Sequence, residues 1–87
     1  MVQGTTKSGF AFEVPEDIAN DMELFEALID LDAGDARAVV PVCRKVLGPQ
    51  KAALYEHLRG ENGRVPVEAV VTEVYDILAA VKNGKKS

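Results

Sequence analysis

Three carboxylates and a glycine stand close together in the stretch DLDAGD, from Asp30 to Asp35. Carboxylate oxygens are calcium ligands, and an EF-hand loop places them at alternating positions, with glycine at position 6 and glutamate at position 12. Counted from Asp30, position 6 is Asp35 and position 12 is Pro41, which has no carboxylate. Counting from Asp32 fails at the same two positions. The stretch therefore predicts a boundary between two helices and no metal site.

The chain has one histidine, His57, and one cysteine, Cys43. Catalytic dyads and zinc sites need a histidine with a partner of a defined kind, and only Glu56 and Arg59 lie near His57 in the sequence. We expect His57 at the surface or groove edge of a helix. Cys43 falls on an apolar helical stripe, which is typical of a small buried hydrophobe and not of a nucleophile. Together these residues predict no metal and no other cofactor.

Two further patterns could suggest an enzyme. The segment GENGRVP, residues 60–66, contains glycines and an arginine but lacks the dense glycine run and the Lys-Ser or Lys-Thr pair of a phosphate loop. The carboxylates of residues 15–36 are expected on a solvated helix face, whereas general acid catalysis needs a carboxyl group whose pKa is raised by burial. The sequence therefore predicts a binding protein with no catalytic residues.

Charge is unevenly distributed along the 87 residues, whose net charge is −4 and whose pI is about 4.9. Residues 15–36 carry eight acids and no base, whereas residues 37–64 carry six bases and two acids. An acidic chain with few aromatic residues is unlike a nucleic-acid-binding protein. We expect the two segments of opposite charge to pair within one molecule or head to tail between molecules.

The length predicts a single domain. No apolar run approaches the roughly 20 residues that a membrane helix requires, and a lone cysteine without a secretory h-region is typical of a protein in a reducing compartment. We therefore expect a soluble cytoplasmic protein that binds neither nucleic acid nor membrane.

The N-terminal third predicts a hairpin and an acidic helix. Apolar residues alternate in GFAFEV, residues 9–14, as in a half-buried strand, and Lys7-Ser8-Gly9 could turn a hairpin back onto residues 2–5. A first helix is expected over roughly 16–31, with a later start if Asn20 or Asp21 is its cap. Its apolar stripe is expected to include Phe25, opposite an acidic face of Glu23, Glu26 and Asp30.

The remaining residues predict three more helices. Asp35 is expected to cap a second helix that ends at Gly48 and begins near Pro41 or kinks there. A third helix is expected over residues 49–59, and a longest fourth helix begins at Pro66. The fold class is therefore mainly α, a small bundle of about four helices with a short N-terminal strand or hairpin. Residues 1–9 are expected as a flexible lead or hairpin arm, 10–82 as one helical domain and 83–87 as a basic flexible tail.

Candidate interaction residues follow from charge and from aromatic enrichment at interfaces. The acidic residues Glu23, Glu26 and Asp30 are expected to meet Arg37 and Arg44, either in the same molecule or in a neighbouring subunit. The candidate apolar anchors are Phe25, Leu54, Tyr55 and Tyr75. The competing interpretation is that these four residues fill the domain's own core, and we favour it for Phe25 and Leu54.

The order of the segments resembles a known family. GFAFEV is followed by DMELFEALIDLDAGD, by a helix ending in VLG and by EHLRGENGRVPVEAVVTEVYDIL. This pattern is similar to the small tail assembly chaperones of long-tailed, siphovirus-type bacteriophages and of prophages of Gram-positive bacteria. The resemblance spans about Gly9 to Val81 and is most evident at Leu47-Gly48 and at residues 63–66.

The resemblance implies a mostly helical protein of the bacterial host cytoplasm that forms multimers. It implies that the chain coats the tape measure protein while tail tube subunits, formed by the major tail protein, assemble around it. It also implies a longer form made by ribosomal frameshifting near Gly84-Lys85-Lys86-Ser87. Two other interpretations remain open: a small acidic phage or bacterial adaptor that binds a host regulatory partner, and an enzyme subunit or metal-binding module.

Overall fold

A computed structural model describes the backbone of residues 1–84 and the side chains of residues 1–82. The chain begins with a two-stranded antiparallel hairpin, β1 (Val2–Thr5) and β2 (Ala11–Val14), in which Val2 pairs with Val14 and Thr5 with Ala11. Alternation directs Phe12 and Val14 into the core and leaves the intervening side chains exposed, so the hairpin covers one side of the helices.

The first helix, α1 (Met22–Asp32), begins six residues later than the expected residue 16. Residues 15–20 form turns, in which the amide of Ile18 bonds the carbonyl of Pro15. The carboxylate of Asp21 accepts a hydrogen bond of 3.1 Å from the amide of Leu24, which confirms Asp21 as the cap. The acids that precede Asp21 therefore lie outside the helix.

Residues 36–58 form consecutive helical segments without a loop between them, and the chain bends once, at Gly48. A 3-10 turn (Ala36–Ala38) leads into α2 (Val39–Leu47), and a second 3-10 turn (Gly48–Gln50) leads into α3 (Lys51–Leu58). Pro41 lies in the first turn of α2, where its missing amide hydrogen removes little from the helix. The bend falls at Gly48, whose φ of 53° and ψ of −123° are readily adopted only by glycine.

The last helix, α4 (Val67–Gly84), begins directly after Pro66 and is the longest in the described chain. Counted as continuous helical runs, residues 1–84 contain three helical segments, at 22–32, 36–58 and 67–84. The expected bundle of about four helices is corrected to this number, because α2 and α3 are separated only by the bend at Gly48 and its 3-10 turn, with no loop between them. The mainly α class and the hairpin are confirmed. Of the expected tail, residues 83–87, the first two belong to α4, and residues 85–87 lie outside the described residues.

The core lies where the hairpin meets the helices α1 to α4. Its most buried side chains include Val14, Leu24, Val42, Cys43, Leu47, Leu54, Val74, Ile77 and Val81. Cys43 and Leu54 are thus buried, as expected. Helix α1 buries Leu24, Ala27 and Leu31, whereas Phe25 is 55% exposed. The expectation that Phe25 fills the core is therefore wrong, because α1 turns a different apolar face inward.

Candidate protein-binding surface

Helix α1 carries a second apolar face, which points to solvent. Met22, Phe25 and Ile29 are 65%, 55% and 52% exposed, and their spacing of three and four residues places them in one row along the helix. We call these three residues the exposed apolar face. Aromatic and methionine side chains are enriched at the centres of protein interfaces, so this row is the strongest candidate for a contact with another molecule.

An acidic row adjoins this face. Glu26 is four residues after Met22 and three before Ile29, and Asp30 is four residues after Glu26, so the two carboxylates lie beside the apolar row on the helix surface. Both residues are exposed, and neither has an ion-pair partner within 4 Å among the described residues. The predicted site residues Glu26 and Asp30 therefore border the exposed apolar face and do not lie opposite it.

The other flank of the exposed apolar face opens into a cleft between α1 and α4 of about 300 Å³. Phe25 and Leu28 line the α1 side, and Leu78 and Val81 line the α4 side, with Lys82 at the margin. Most of the cleft lining is apolar. We call it the α1–α4 cleft, and it extends the apolar surface that Phe25 begins.

The acidic row continues to Glu23, which contacts Lys45 of α2. The Lys45 ammonium lies 2.7 Å from a Glu23 carboxylate oxygen and 3.3 Å from one of Asp21. The hydrogen bond to Glu23 raises the pKa of Lys45, and the amide of Leu24 lowers that of the Asp21 carboxyl. Arg44 lines a groove with Glu23 and Lys45. Acidic and basic segments thus meet within one molecule at this point.

The other candidate residues are dispersed. Leu54 is fully buried and so presents no surface to a partner, which confirms the core interpretation for it. Tyr55 is half-buried under Lys51, whose ammonium lies 5.6 Å from the ring centre. Tyr75 is 38% exposed, and its hydroxyl donates a hydrogen bond to the Asp32 carboxylate, which raises the pKa of the tyrosine.

The stretch DLDAGD forms the predicted helix boundary. Gly34 has a φ of 104°, and the Asp35 amide bonds the carbonyl of Asp30, which closes the end of α1. The Asp35 carboxylate accepts from the Arg37 amide at 3.1 Å and from its guanidinium at 3.0 Å, which together lower the pKa of Asp35. No group of three or more potential metal ligands occurs among residues whose side chains the structure describes.

A polar cluster that the sequence did not predict ties the hairpin turn to α3 and α4. Glu73, only 4% exposed, accepts hydrogen bonds from the hydroxyls of Thr6 at 2.6 Å and Ser8 at 2.9 Å. The His57 Nε2 atom lies 3.1 Å from the Ser8 hydroxyl and 3.0 Å from its carbonyl oxygen. Asp76 accepts from the Lys7 amide at 2.8 Å. We call these six residues the turn clamp.

The turn clamp contains serine, histidine and glutamate, but its geometry differs from that of a catalytic triad. In a triad the histidine lies between the nucleophile and the carboxylate, which orients it. Here Ser8 lies between His57 and Glu73, with its hydroxyl in contact with both. The amides of Lys7, Gly9 and Phe10 are already bonded to Asp76 and Thr6, so none of them is free to bind an oxyanion. The cluster therefore holds the hairpin in place.

Comparisons with known proteins give no match: no family model, no curated protein and no solved structure matches the chain. None of the described helices combines the length and the apolar character needed to cross a membrane. The inference of function therefore depends on the surface itself and on the pattern of the sequence.

Proposed function

We propose that this chain is a tail assembly chaperone that associates with itself and binds the tape measure protein of a long-tailed bacteriophage. The single observation that carries the proposal is the exposed apolar face of α1, in which three neighbouring large apolar side chains are each more than half exposed. Monomeric proteins rarely leave grouped apolar residues exposed without a binding role. The resemblance in the order of the sequence segments points to the tape measure protein as the partner.

The proposed mechanism is the protection of apolar helix surface. A long helical partner without its final neighbours exposes apolar side chains that promote aggregation. The exposed apolar face and the α1–α4 cleft would cover such side chains until tail tube subunits of the major tail protein replace the chaperone. The turn clamp ties the hairpin to α3 and α4, and the core packs them against α1. We therefore expect α1 to bind its partner without a change of fold.

The acidic surface supports a second candidate function, that of a small phage or bacterial adaptor for a basic host regulator. Eight acids and no base lie in residues 15–36, and such a surface would accelerate association with a positively charged partner. Gene order separates the two functions, because a tape measure gene immediately downstream is expected for the chaperone and not for the adaptor.

Co-expression tests the chaperone function directly. Fragments that tile the tape measure protein of the same gene cluster would be expressed alone and together with this chain, and soluble complexes would be isolated through a tag on the chain. We expect at least one fragment to be soluble only in the complex. If no fragment binds under these conditions, the proposed partner is wrong.

A matched pair of variants tests the surface. The double variant Phe25→Ser and Ile29→Ser removes two side chains of the exposed apolar face, whereas Val67→Ser removes one that is equally exposed at the start of α4. We expect the double variant to lose the fragment and Val67→Ser to retain it. Circular dichroism of both proteins checks that the fold is preserved. Equal binding by the two variants would contradict a role for this face.

A further inference from the structure

We infer that the exposed apolar face takes one amphipathic helix whose apolar side is flanked by lysine or arginine. This inference deepens the proposed function and rests on it, because it specifies the chemistry of the segment that the face binds. It follows from three features: the row of Met22, Phe25 and Ile29, the acidic row beside it and the cleft on its other flank.

The shape of the surface fits a helix. The exposed apolar face runs over eight residues of α1, or about 10–12 Å at 1.5 Å per residue. A partner helix lying along it would place apolar residues at spacings of three and four against Phe25 and Ile29 and would reach into the α1–α4 cleft. The cleft widens the apolar surface on the α4 side, so one helix can contact both the exposed apolar face and the α1–α4 cleft.

The charges select a basic partner. On the side of the exposed apolar face that is nearer to α2, the exposed carboxylates are Glu23, Glu26 and Asp30. Of these three, only Glu23 contacts a lysine in the described structure. On the α4 side, Asp32 is bonded to Tyr75, and Lys82 is the nearby base. A partner helix with basic residues along the α2 side would therefore pair with the acidic row, whereas an acidic helix would be repelled.

A second copy fits this face less well. Two copies that met through the same face would bring Glu26 and Asp30 of each chain close to those of the other, and like charges at an interface are unfavourable. The exposed bases Arg37 and Arg44 flank Val40, which is only 38% exposed. That edge can supply charge to a neighbouring copy but little apolar surface to cover Met22, Phe25 and Ile29.

A labelled peptide tests the inference without the natural partner. The probe is a synthetic amphipathic peptide of about 16 residues, long enough to form a helix on binding, with leucines on one face and lysines and arginines beside them. One control peptide has the same composition in scrambled order, and a second has glutamates in place of the bases. We expect fluorescence anisotropy to show at least about tenfold weaker binding of each control.

Variants of the chain locate the binding site. We expect the double variant Phe25→Ser and Ile29→Ser to weaken peptide binding at least about tenfold, and Val67→Ser to leave it unchanged. Glu26→Gln and Asp30→Asn should each weaken binding about two- to fivefold and reduce its dependence on salt. Amide chemical shifts of the wild-type chain should change along α1 and the facing side of α4.

Several outcomes would overturn the inference. Equal affinity of the scrambled peptide would mean that charge alone attracts it. If the double variant lost self-association while the wild type failed to bind the peptide, the face would belong to a second copy. Binding of tape measure fragments without binding of the peptide would also reject the basic helix but leave the chaperone function standing. If the chain bound the peptide but no tape measure fragment, the basic helix would be supported and only the chaperone function would be rejected.

Discussion

Thr6 uses every polar group it has to organise the hairpin turn. Its amide donates to the carbonyl of Phe10, its carbonyl accepts from Gly9, and its hydroxyl donates to Glu73 and accepts from the amide of Phe10. The side chain is only 5% exposed. Because its hydroxyl bonds Glu73 of α4, Thr6 joins the turn to that helix. A buried polar group that loses its partner costs more free energy than the bond itself contributes, so we expect the loss of this contact to destabilise the fold.

We expect Thr6→Val to lower the free energy of unfolding by about 1–3 kcal/mol, because it leaves the Glu73 carboxylate and the Phe10 amide each short of one partner. Urea denaturation followed by circular dichroism measures this change. Thr5→Val is the matched control, since Thr5 is exposed on β1 and valine suits a strand. Equal stability of the two variants would show that the turn clamp does not stabilise the fold.

Cys43 is fully buried, and burial raises the pKa of its thiol to about 11. Because the thiolate is the reactive form, we expect iodoacetamide at pH 8 to modify native Cys43 much more slowly than the urea-unfolded chain. Mass spectrometry follows the reaction. Rapid modification of the native protein, at the rate of a free cysteine peptide, would mean that this part of the core opens readily.

The same shift has a consequence for stability at high pH. The folded thiol stays neutral up to a pH near 11, whereas the thiol of the unfolded chain ionises around 9.0. The contribution of Cys43 to stability is therefore complete below pH 9 and declines between pH 9 and about 11. In Cys43→Ala this component of the pH dependence should be absent, which urea denaturation at a series of pH values would show.

The residue scale also separates what sequence can predict from what it cannot. The sequence predicts Asp35 as a cap, and Asp21 as one of two possible caps for a late start of α1, because a cap and the amides it binds lie two or three residues apart. The turn clamp joins residues 49 to 69 positions apart. Local patterns carry no information about such contacts, so His57 was predicted at a surface or groove edge but not as a partner of Ser8.

At the scale of the element, α1 is apolar on two faces. Leu24, Ala27 and Leu31 are buried, whereas Phe25 and Ile29 are exposed. Periodicity shows which residues share a face, but it does not show which face meets the core when both are apolar. Packing against α2 decides the orientation, and that contact is not visible in the sequence of α1 alone. The error over Phe25 has this origin.

The neighbours Leu24 and Phe25 give a direct test of this orientation. Leu24 is 1% exposed and Phe25 is 55% exposed. We expect Leu24→Ala to cost about 2–5 kcal/mol of folding stability, because it leaves a cavity in the core, and Phe25→Ala to cost less than about 1 kcal/mol. Thermal or urea unfolding of both variants measures the difference. A larger loss for Phe25→Ala would mean that α1 is rotated from the orientation described.

At the scale of the whole molecule, the segments of opposite charge lie on neighbouring helices. Lys45 of α2 bonds Glu23 of α1 and Asp21, the cap of α1, so part of the predicted pairing of the two segments occurs within one chain. Glu26, Asp30 and Arg44 have no ion-pair partner within 4 Å among the described side chains. The pairing of these groups between copies therefore stays a prediction, which the charge pattern motivated.

We expect the chain to self-associate head to tail, with the acidic row of one copy against the Arg37 and Arg44 edge of the next. A basic partner helix uses the same acidic row, so we expect it to compete with this contact. Raising salt from about 0.1 M to about 1 M shortens the screening length from about 10 Å to about 3 Å, so exposed ion pairs should weaken. Sedimentation velocity over a concentration series should then show a smaller average mass at high salt. An interface held mainly by apolar contacts would instead persist or strengthen.

Charge reversal identifies the residues involved. Glu26→Lys and Arg44→Glu should each reduce self-association, because each places like charges across the interface. An equimolar mixture of the two variants should recover part of the association, since each then presents the surface that the other lacks. Glu61→Lys, in the exposed loop before α4, is the control and should have no effect on association. A chain that remains monomeric at high concentration and low salt would contradict head-to-tail pairing while leaving the exposed apolar face available to a helical partner.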